Sequence, residues 1–237
     1  MTGARILVFG GRGAIGGAVL ARFRDLGWIV VATSRQMADN TNGQNLHWVQ
    51  CDPQAGLSSP YLFDGHAPFD AVCWAQGANA TDSVVDFDPA AHRQLYQANC
   101  LFVLETMKLL LTRGLLAPKA RMVVVSSIWQ TIARQNKLSY IMTKAAIGGL
   151  VKSASVDLAS YGFLINAVLP SAIDTPMTRD NLTAVQCERL AKATGFDRLV
   201  SLDDVVSVIE FLCSARNTGV TGQSMTVDLG FSHAHIV

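Results

Sequence analysis

Arg5-Ile6-Leu7-Val8-Phe9-Gly10-Gly11-Arg12-Gly13-Ala14-Ile15-Gly16 is the stretch on which the fold turns. An apolar run of strand length, Arg5–Phe9, passes into a glycine cluster, and from Ile15 to Leu26 the apolar residues Ala18, Leu20 and Phe23 recur at helical spacing. Glycine admits backbone conformations closed to other residues and lets the main chain approach a ligand closely. A helix that starts from such a turn presents unpaired N–H groups to an anion, above all a pyrophosphate. Strand, glycine turn and helix in this order predict the first unit of a dinucleotide-binding sheet.

The same alternation continues outward. Ile29–Thr33, Leu46–Gln50, Ala71–Trp74, Met122–Ser126, Leu164–Val168 and Met225–Val227 read as further strands, and Ala91–Leu111, Tyr140–Ala159 and Leu202–Ser214 as helices. The expected fold class is α/β, a Rossmann-like doubly wound parallel sheet with helices on both faces. With 237 residues and no linker or repeat, one domain over 1–237 is expected. In such sheets the ligand sits beyond the carboxyl ends of the strands, so the residues after each strand are the first to inspect.

Composition narrows the class. Half of the residues are hydrophobic, 16% are charged, and the net charge is +1, which predicts a compact soluble globule and gives no electrostatic footprint for nucleic acid or an anionic membrane. The apolar stretch 101–111 carries Glu105 and Lys108 and reads as a buried helix rather than a membrane span. Cys51, Cys73, Cys100, Cys187 and Cys213 form no Cys-x-x-Cys pair, which suits reduced thiols in a cytoplasm. His233 and His235 lack the companions that would complete a metal site, and no metal is expected.

The second strand runs out through Ser34 and Arg35, where an acidic residue would otherwise hold the ribose 2′-hydroxyl of NAD. Arg35, with Arg12 from the glycine turn, offers guanidinium groups to a 2′-phosphate, so NADPH/NADP+ is the expected cofactor. The plainer reading is a pair of solvated surface arginines. Farther on, Tyr140 and Lys144 stand four residues apart on a helix and hence on one face. A cation beside a phenol favours the phenolate, which suits the pair to proton transfer. Ser126 and Ser127 close a valine-rich strand, with Ser127 thirteen residues before the tyrosine, and Asn99 lies in the preceding long helix.

Asn99, Ser127, Tyr140 and Lys144 resemble, in order and spacing, the active-site tetrad of short-chain dehydrogenase/reductases. The resemblance runs along essentially the whole chain, through the glycine turn, Asp52, Ile165-Asn166-Ala167-Val168-Leu169-Pro170, Thr175-Pro176-Met177, Val220-Thr221-Gly222-Gln223 and Asp228. The back half is most similar to β-ketoacyl carrier-protein reductases, and the turn Gly10–Gly16 to dihydropteridine reductases. The resemblance implies that Tyr140 protonates a carbonyl oxygen, Ser127 hydrogen-bonds it, Lys144 holds the nicotinamide ribose, and Asn99 anchors a relay water. It also implies cofactor contacts from Gly10, Arg12, Gly13, Ala14, Ile15, Gly16, Ser34, Arg35, Asp52, Ala75, Gln76, Gly77, Tyr140, Lys144, Pro170, Ser171, Ile173 and Thr175. Of these, Asp52 is expected at the adenine amino group. A homodimer or homotetramer would pair through Ala91–Leu111 and Tyr140–Ala159.

Three departures from the family pattern stand out. Ala14 replaces the usual central glycine of the turn; Trp74-Ala75-Gln76-Gly77 stands for Asn-Asn-Ala-Gly and loses an asparagine that braces the sheet; Pro170-Ser171 stands for Pro-Gly. Trp129 reads either as a wall of the substrate mouth or as ordinary packing. Arg134 and Lys137 read either as a docking point for an acidic carrier or, more commonly, as a solvated face. Residues 177–197, with Met177, Leu182, Val185 and Leu190, are long enough for a lid over a partly apolar substrate, or for a pair of connecting helices. The expected reaction is reduction of a ketone, such as a 3-oxoacyl thioester or polyketide-like substrate, free or carrier-bound. A pterin or other cyclic substrate, or an NADPH-binding sensor or scaffold without turnover, remain alternatives.

Overall fold

In the computed structural model, which describes residues 3–36, 43–175, 178 and 183–233, the strands assemble into a seven-stranded sheet in the order β3-β2-β1-β4-β5-β6-β7. They are β1 (Arg5–Phe9), β2 (Ile29–Ser34), β3 (Leu46–Gln50), β4 (Phe69–Trp74), β5 (Leu116–Val125), β6 (Leu164–Pro170) and β7 (Ser224–Val227). Every neighbouring pair is parallel. The strand order reverses between β1 and β4, which opens a crevice at their carboxyl ends.

Both faces of the sheet are covered, and β1 shows why its sequence is apolar throughout. Leu7 and Phe9 join Val72, Trp74, Phe102, Leu110, Ile147 and Val151 on one face, whereas Ile6 and Val8 join Ala71, Cys73, Val19, Phe23, Val205 and Ile209 on the other. A strand buried on both sides has no polar alternation to show. The first face is packed by α3 (Phe102–Thr112) and α4 (Leu138–Asp157), with α2 (Pro89–Tyr96) set against α4. Helices α1 (Ala14–Asp25) and α6 (Leu202–Cys213) cover the second.

The helix expected over Ala91–Leu111 is interrupted. It begins at Pro89, capped by the Asp88 side chain, and between α2 and α3 it widens into a π-turn over Gln97–Leu101. The apolar spacing runs on through this turn, which is why the pattern conceals it; such turns recur at functional sites. Strand β5 is longer than expected because it starts before Lys119, whose positive φ of 61° and neighbouring Pro118 break the strand pattern. Within 177–197 there is a helix, α5 (Ala184–Lys192), started by a capping box between Thr183 and Gln186. Met177 and Leu182 of the expected lid, and His235, lie outside the described residues.

In the stretch 74–77, where the family pattern has Asn-Asn-Ala-Gly, Trp74 forms a brace of a different kind. Trp74 is fully buried, stacks on Phe9 at 5.7 Å with 7° between the rings, and donates its indole N–H to Thr106 Oγ1 at 2.8 Å. One side chain thus ties β4 to α3 by both packing and a buried hydrogen bond. No described helix is long and apolar enough to cross a membrane.

Candidate active site

Because the strands are parallel, the turns after β1, β2, β3, β4, β5 and β6 all emerge at one edge of the sheet, and the expected site residues lie on them. The glycine turn is held by its own backbone. Gly10 has φ of +78°, its N–H reaches Thr33 Oγ1 at 3.2 Å, and its carbonyl accepts from Gly13 N–H at 2.9 Å. A Cβ on Gly10 would stand 2.7 Å from the Gln76 backbone, and one on Gly16 only 2.2 Å from the Gly10 oxygen. Those two positions admit no side chain. Gly13 is the N-cap of α1 and uses no side-chain acceptor there. The substituted Ala14 is the exposed first residue of that helix, and Ile15 follows it half-buried, so neither obstructs the turn.

Ser34 is buried and Arg35 exposed, with the Arg35 carbonyl accepting from Gln50 Nε2 at 3.2 Å. Arg12 is exposed too, and its guanidinium lies 5.5 Å from the centre of the Trp48 ring on β3. The sequence alone does not single out Trp48, because an aromatic residue in a strand reads as core. Asp52 sits just beyond β3 with one carboxylate oxygen accepting from Gln54 N–H at 3.0 Å.

After β4 the chain runs through Ala75, whose N–H continues the ladder to the Phe9 carbonyl at 3.0 Å, to Gln76 and Gly77. Both polar atoms of the Gln76 carboxamide are buried without a hydrogen-bond partner among the described residues. That is a costly arrangement unless something else is bound there. A Cβ on Gly77 would lie 3.5 Å from Asn99 Oδ1 and 3.7 Å from Lys144 Nζ, so this turn passes directly beside two of the tetrad residues.

Asn99 sits in the π-turn and is almost fully buried. Its Oδ1 accepts from Ala78 N–H at 2.8 Å, while Nδ2 donates to the Ala78 carbonyl and to Thr143 Oγ1, each at 3.0 Å. Thr143 Oγ1 in turn donates to the Tyr140 carbonyl at 2.8 Å. Thr143 therefore joins Asn99 to the tyrosine's own helical turn, a link that a spacing rule for Tyr and Lys cannot show. Lys144 is buried and donates from Nζ to the Val125 carbonyl at the end of β5, 3.1 Å away. Its ammonium stands 5.5 Å from the centre of the half-buried Tyr140 ring. Nearby, burial pushes the Cys100 thiol up to about 11 even though Lys144 acts in the opposite direction, so Cys100 stays a neutral packing group.

Ser127 is buried and caps a short turn over Ile128–Gln130. Its hydroxyl is held loosely, at 3.5 Å from the Pro170 carbonyl and 3.4 Å from Trp129 N–H, both near the outer limit of a hydrogen bond. A hydroxyl so weakly engaged is free to bond a substrate oxygen. Trp129 is half-buried and Arg134 stands over its ring, 5.9 Å from the centre. On the far side, Ser171 N–H reaches the Val227 carbonyl at 3.1 Å, Ile173 bridges to Val200, and Thr175 Oγ1 pairs with Thr178 Oγ1 at 3.1 Å. The serine at 171 thus keeps the backbone ladder that a glycine there would make.

Lys137 departs from the solvated face expected of it. Its ammonium donates to Asn79 Oδ1, the Ala80 carbonyl and Thr81 Oγ1 at 3.0, 2.9 and 3.2 Å. Burial, reinforced by Arg134 and opposed by Asp82, holds its pKa below the usual lysine range.

A family model described as Enoyl-(Acyl carrier protein) reductase matches residues 62–232. The chain belongs to the short-chain dehydrogenase/reductase family of oxidoreductases. It is 30% identical over 169 residues to the uncharacterized oxidoreductase YmfI of Bacillus subtilis (strain 168), covering 69% of this chain and 67% of that protein. L-xylulose reductase of Bos taurus is 26% identical over 238 residues, 98% of this chain and 97% of the relative. Among solved structures, a gluconate 5-dehydrogenase from Burkholderia cenocepacia J2315, in complex with NADP and tartrate, superposes with a TM-score of 0.89 at 22% identity, over 99% of this chain and 97% of that one.

Proposed function

We propose that the chain is an NADPH-dependent reductase that converts a ketone to a secondary alcohol, with Tyr140 as general acid. The observation that carries this reading is the buried Lys144 ammonium, set beside the Tyr140 ring and Gly77 and bonded to the Val125 carbonyl at the end of β5, the strand that leads into the loosely held Ser127 hydroxyl. The residues present fit a nicotinamide dinucleotide: a glycine turn with a helix N-terminus for the pyrophosphate, an unpartnered carboxamide at Gln76, and a buried lysine with hydrogen-bonding capacity to spare. When bound, the nicotinamide supplies hydride to the carbonyl carbon.

The protein's own share is orientation and proton handling. Ser127 donates to the substrate oxygen, Tyr140 gives up its phenolic proton to that oxygen as the alcohol forms, and the Lys144 charge stabilises the phenolate left behind. Asn99 fixes the wall facing them through Ala78 and Thr143. Exposed Arg35 and Arg12 favour the 2′-phosphate of NADPH, because no carboxylate stands at the end of β2 to hold a free ribose hydroxyl.

For the substrate we favour a 3-oxoacyl thioester or a similar extended ketone, free or bound to a carrier. Half-buried Trp129, two residues beyond Ser127, offers apolar surface, and the matching family model, described as Enoyl-(Acyl carrier protein) reductase, supports a carrier-bound acyl thioester rather than the ketone itself. The whole chain is read as one domain working as a homodimer or homotetramer, supported by exposed Tyr96, Leu101, Leu104, Met142 and Val156 on the helices of one face. The test is a comparison of initial rates of NADPH consumption with 3-oxoacyl thioesters, quinonoid dihydropterin and a compact cyclic ketone. Turnover of the thioesters supports the reading; turnover of the pterin alone replaces the substrate class; tight NADPH binding with no turnover of any carbonyl replaces the reductase with a sensor.

A further inference from the structure

The helix that carries Tyr140 and Lys144 does not cap itself. Its N-cap residue is Lys137, with φ of −142° and ψ of 27° and no side-chain cap bond, whereas Asp88, Thr183 and Ser201 cap α2, α5 and α6 with their own side chains. The first N–H groups of α4 are satisfied from elsewhere in the chain. Leu138 N–H donates to the Asp82 carbonyl at 3.2 Å, and Ser139 N–H to Asp82 Oδ1 at 3.0 Å. These bonds span more than fifty residues, so this cap is tertiary rather than local.

Asp82 ends a short segment that is gripped at every residue. Asn99 holds Ala78 by both its N–H and its carbonyl; Lys137 holds Asn79, Ala80 and Thr81, one acceptor for each ammonium hydrogen; Asp82 then reaches α4. The fully buried Ser139 is fixed a second time by His92 Nδ1, 2.8 Å from its hydroxyl. The segment leaves directly from Gly77, which lies against Asn99 and Lys144. Tyr140 is the third residue of α4 and hence within the turn whose N–H groups Asp82 satisfies. An uncapped first turn frays, and a phenol on a fraying turn is not held at its substrate.

We propose that residues 78–82 are a strap that caps the catalytic helix in trans, with Asp82 and Lys137 as positioning residues for Tyr140. The inference rests on the reductase reading given above, and it adds to the tetrad two residues that act through the helix carrying Tyr140. The strap makes the wall of the cleft after β4 and the first turn of α4 move as one body. Geometry at Tyr140 then depends on bonds made by Asp82 and Lys137, because displacements of about 1 Å at a reacting group cost up to about a hundredfold in rate.

The experiment compares wild type with Asp82→Ala, Asp82→Asn, Lys137→Met and Lys137→Arg on the best ketone found. It reads kcat, KM, NADPH affinity by fluorescence titration, and amide hydrogen exchange at 138–140. Asp82→Ala is expected to lower kcat about tenfold or more, with KM and NADPH affinity within about twofold and faster exchange at 138–140. Asp82→Asn should recover most of kcat, since its carboxamide oxygen still accepts from Ser139 N–H. Lys137→Met should give the same loss in kcat, with Lys137→Arg intermediate; this pair decides the matter if Asp82→Ala does not fold. Unchanged kcat in an active enzyme despite faster exchange at 138–140 overturns the strap alone, as does an Asn variant no better than Ala. A wild type that binds NADPH yet reduces no carbonyl overturns the reductase reading first, and the positioning role with it.

Discussion

The two ends of the cleft are built from different materials. Around Gly10–Gly16 recognition is written in the backbone: Gly10 takes a positive φ, Gly13 N–H bonds the Gly10 carbonyl, and a Cβ at Gly16 would collide with that same carbonyl at 2.2 Å. Around Tyr140 the geometry is carried by side chains from several elements: Asn99 bonds Thr143, Lys144 the Val125 carbonyl, Lys137 Thr81, and Asp82 accepts from Ser139 N–H. A site made of backbone depends on which residues are absent, namely side chains larger than hydrogen. A site made of side chains depends on partners far apart in the chain. The first fails by intrusion and the second by misplacement, so they should respond differently to substitution.

The largest effect on cofactor binding is expected at the backbone end. Gly16→Ala should weaken NADPH binding by about a hundredfold or more, because the new methyl must displace the Gly10 carbonyl and with it the whole turn. Titration of NADPH fluorescence reads this directly. An affinity within a few fold of wild type would show that the turn is more pliable than its contacts imply.

Trp74→Phe tests the joint between the two ends. It removes the indole N–H bond to Thr106 while leaving Thr106 Oγ1 its bonds to the Phe102 and Val103 carbonyls. A loss of about 1–3 kcal/mol in chemical denaturation is expected, with NADPH affinity unchanged. A wild-type stability would mean that Trp74 braces the sheet by packing alone.

A smaller effect sharpens the comparison from the other side, by asking whether any side chain matters at the backbone end. Arg35→Asp should shift the preference between NADPH and NADH by about tenfold or more toward NADH, since a carboxylate repels a 2′-phosphate and bonds a ribose hydroxyl. The ratio of the two dissociation constants is the measurement. Equal affinity of the wild type for both cofactors would remove the role given to Arg35.

How far the chain could be read from its sequence follows the same division. The glycine turn, the alternation of strands and helices and the Tyr140/Lys144 spacing are local patterns: a run of apolar residues, a spacing, a residue type that only one backbone conformation requires. The helix at 91–111 was expected unbroken because a π-turn at Gln97–Leu101 adds a residue without changing the apolar texture around it. The roles of Lys137 and Asp82 were not legible because each bond joins residues more than fifty positions apart, and an isolated lysine or aspartate in a loop looks like solvated surface. Trp74 shows a third case. Its departure from the family's asparagine was visible, but the partner that makes it a brace, Thr106, lies one helix away.

The central claim is that Tyr140 gives a proton to a carbonyl oxygen while Lys144 and the glycine turn hold the cofactor. Its most direct test is Tyr140→Phe, with NADPH affinity and the rate of NADPH oxidation by a good ketone measured on the same preparation. Phenylalanine keeps the ring that stands beside the Lys144 ammonium and removes only the phenolic oxygen. The expected result is NADPH binding within about twofold of wild type and a turnover lower by on the order of a thousandfold. A variant that binds NADPH and still reduces the ketone at close to the wild-type rate would contradict the account.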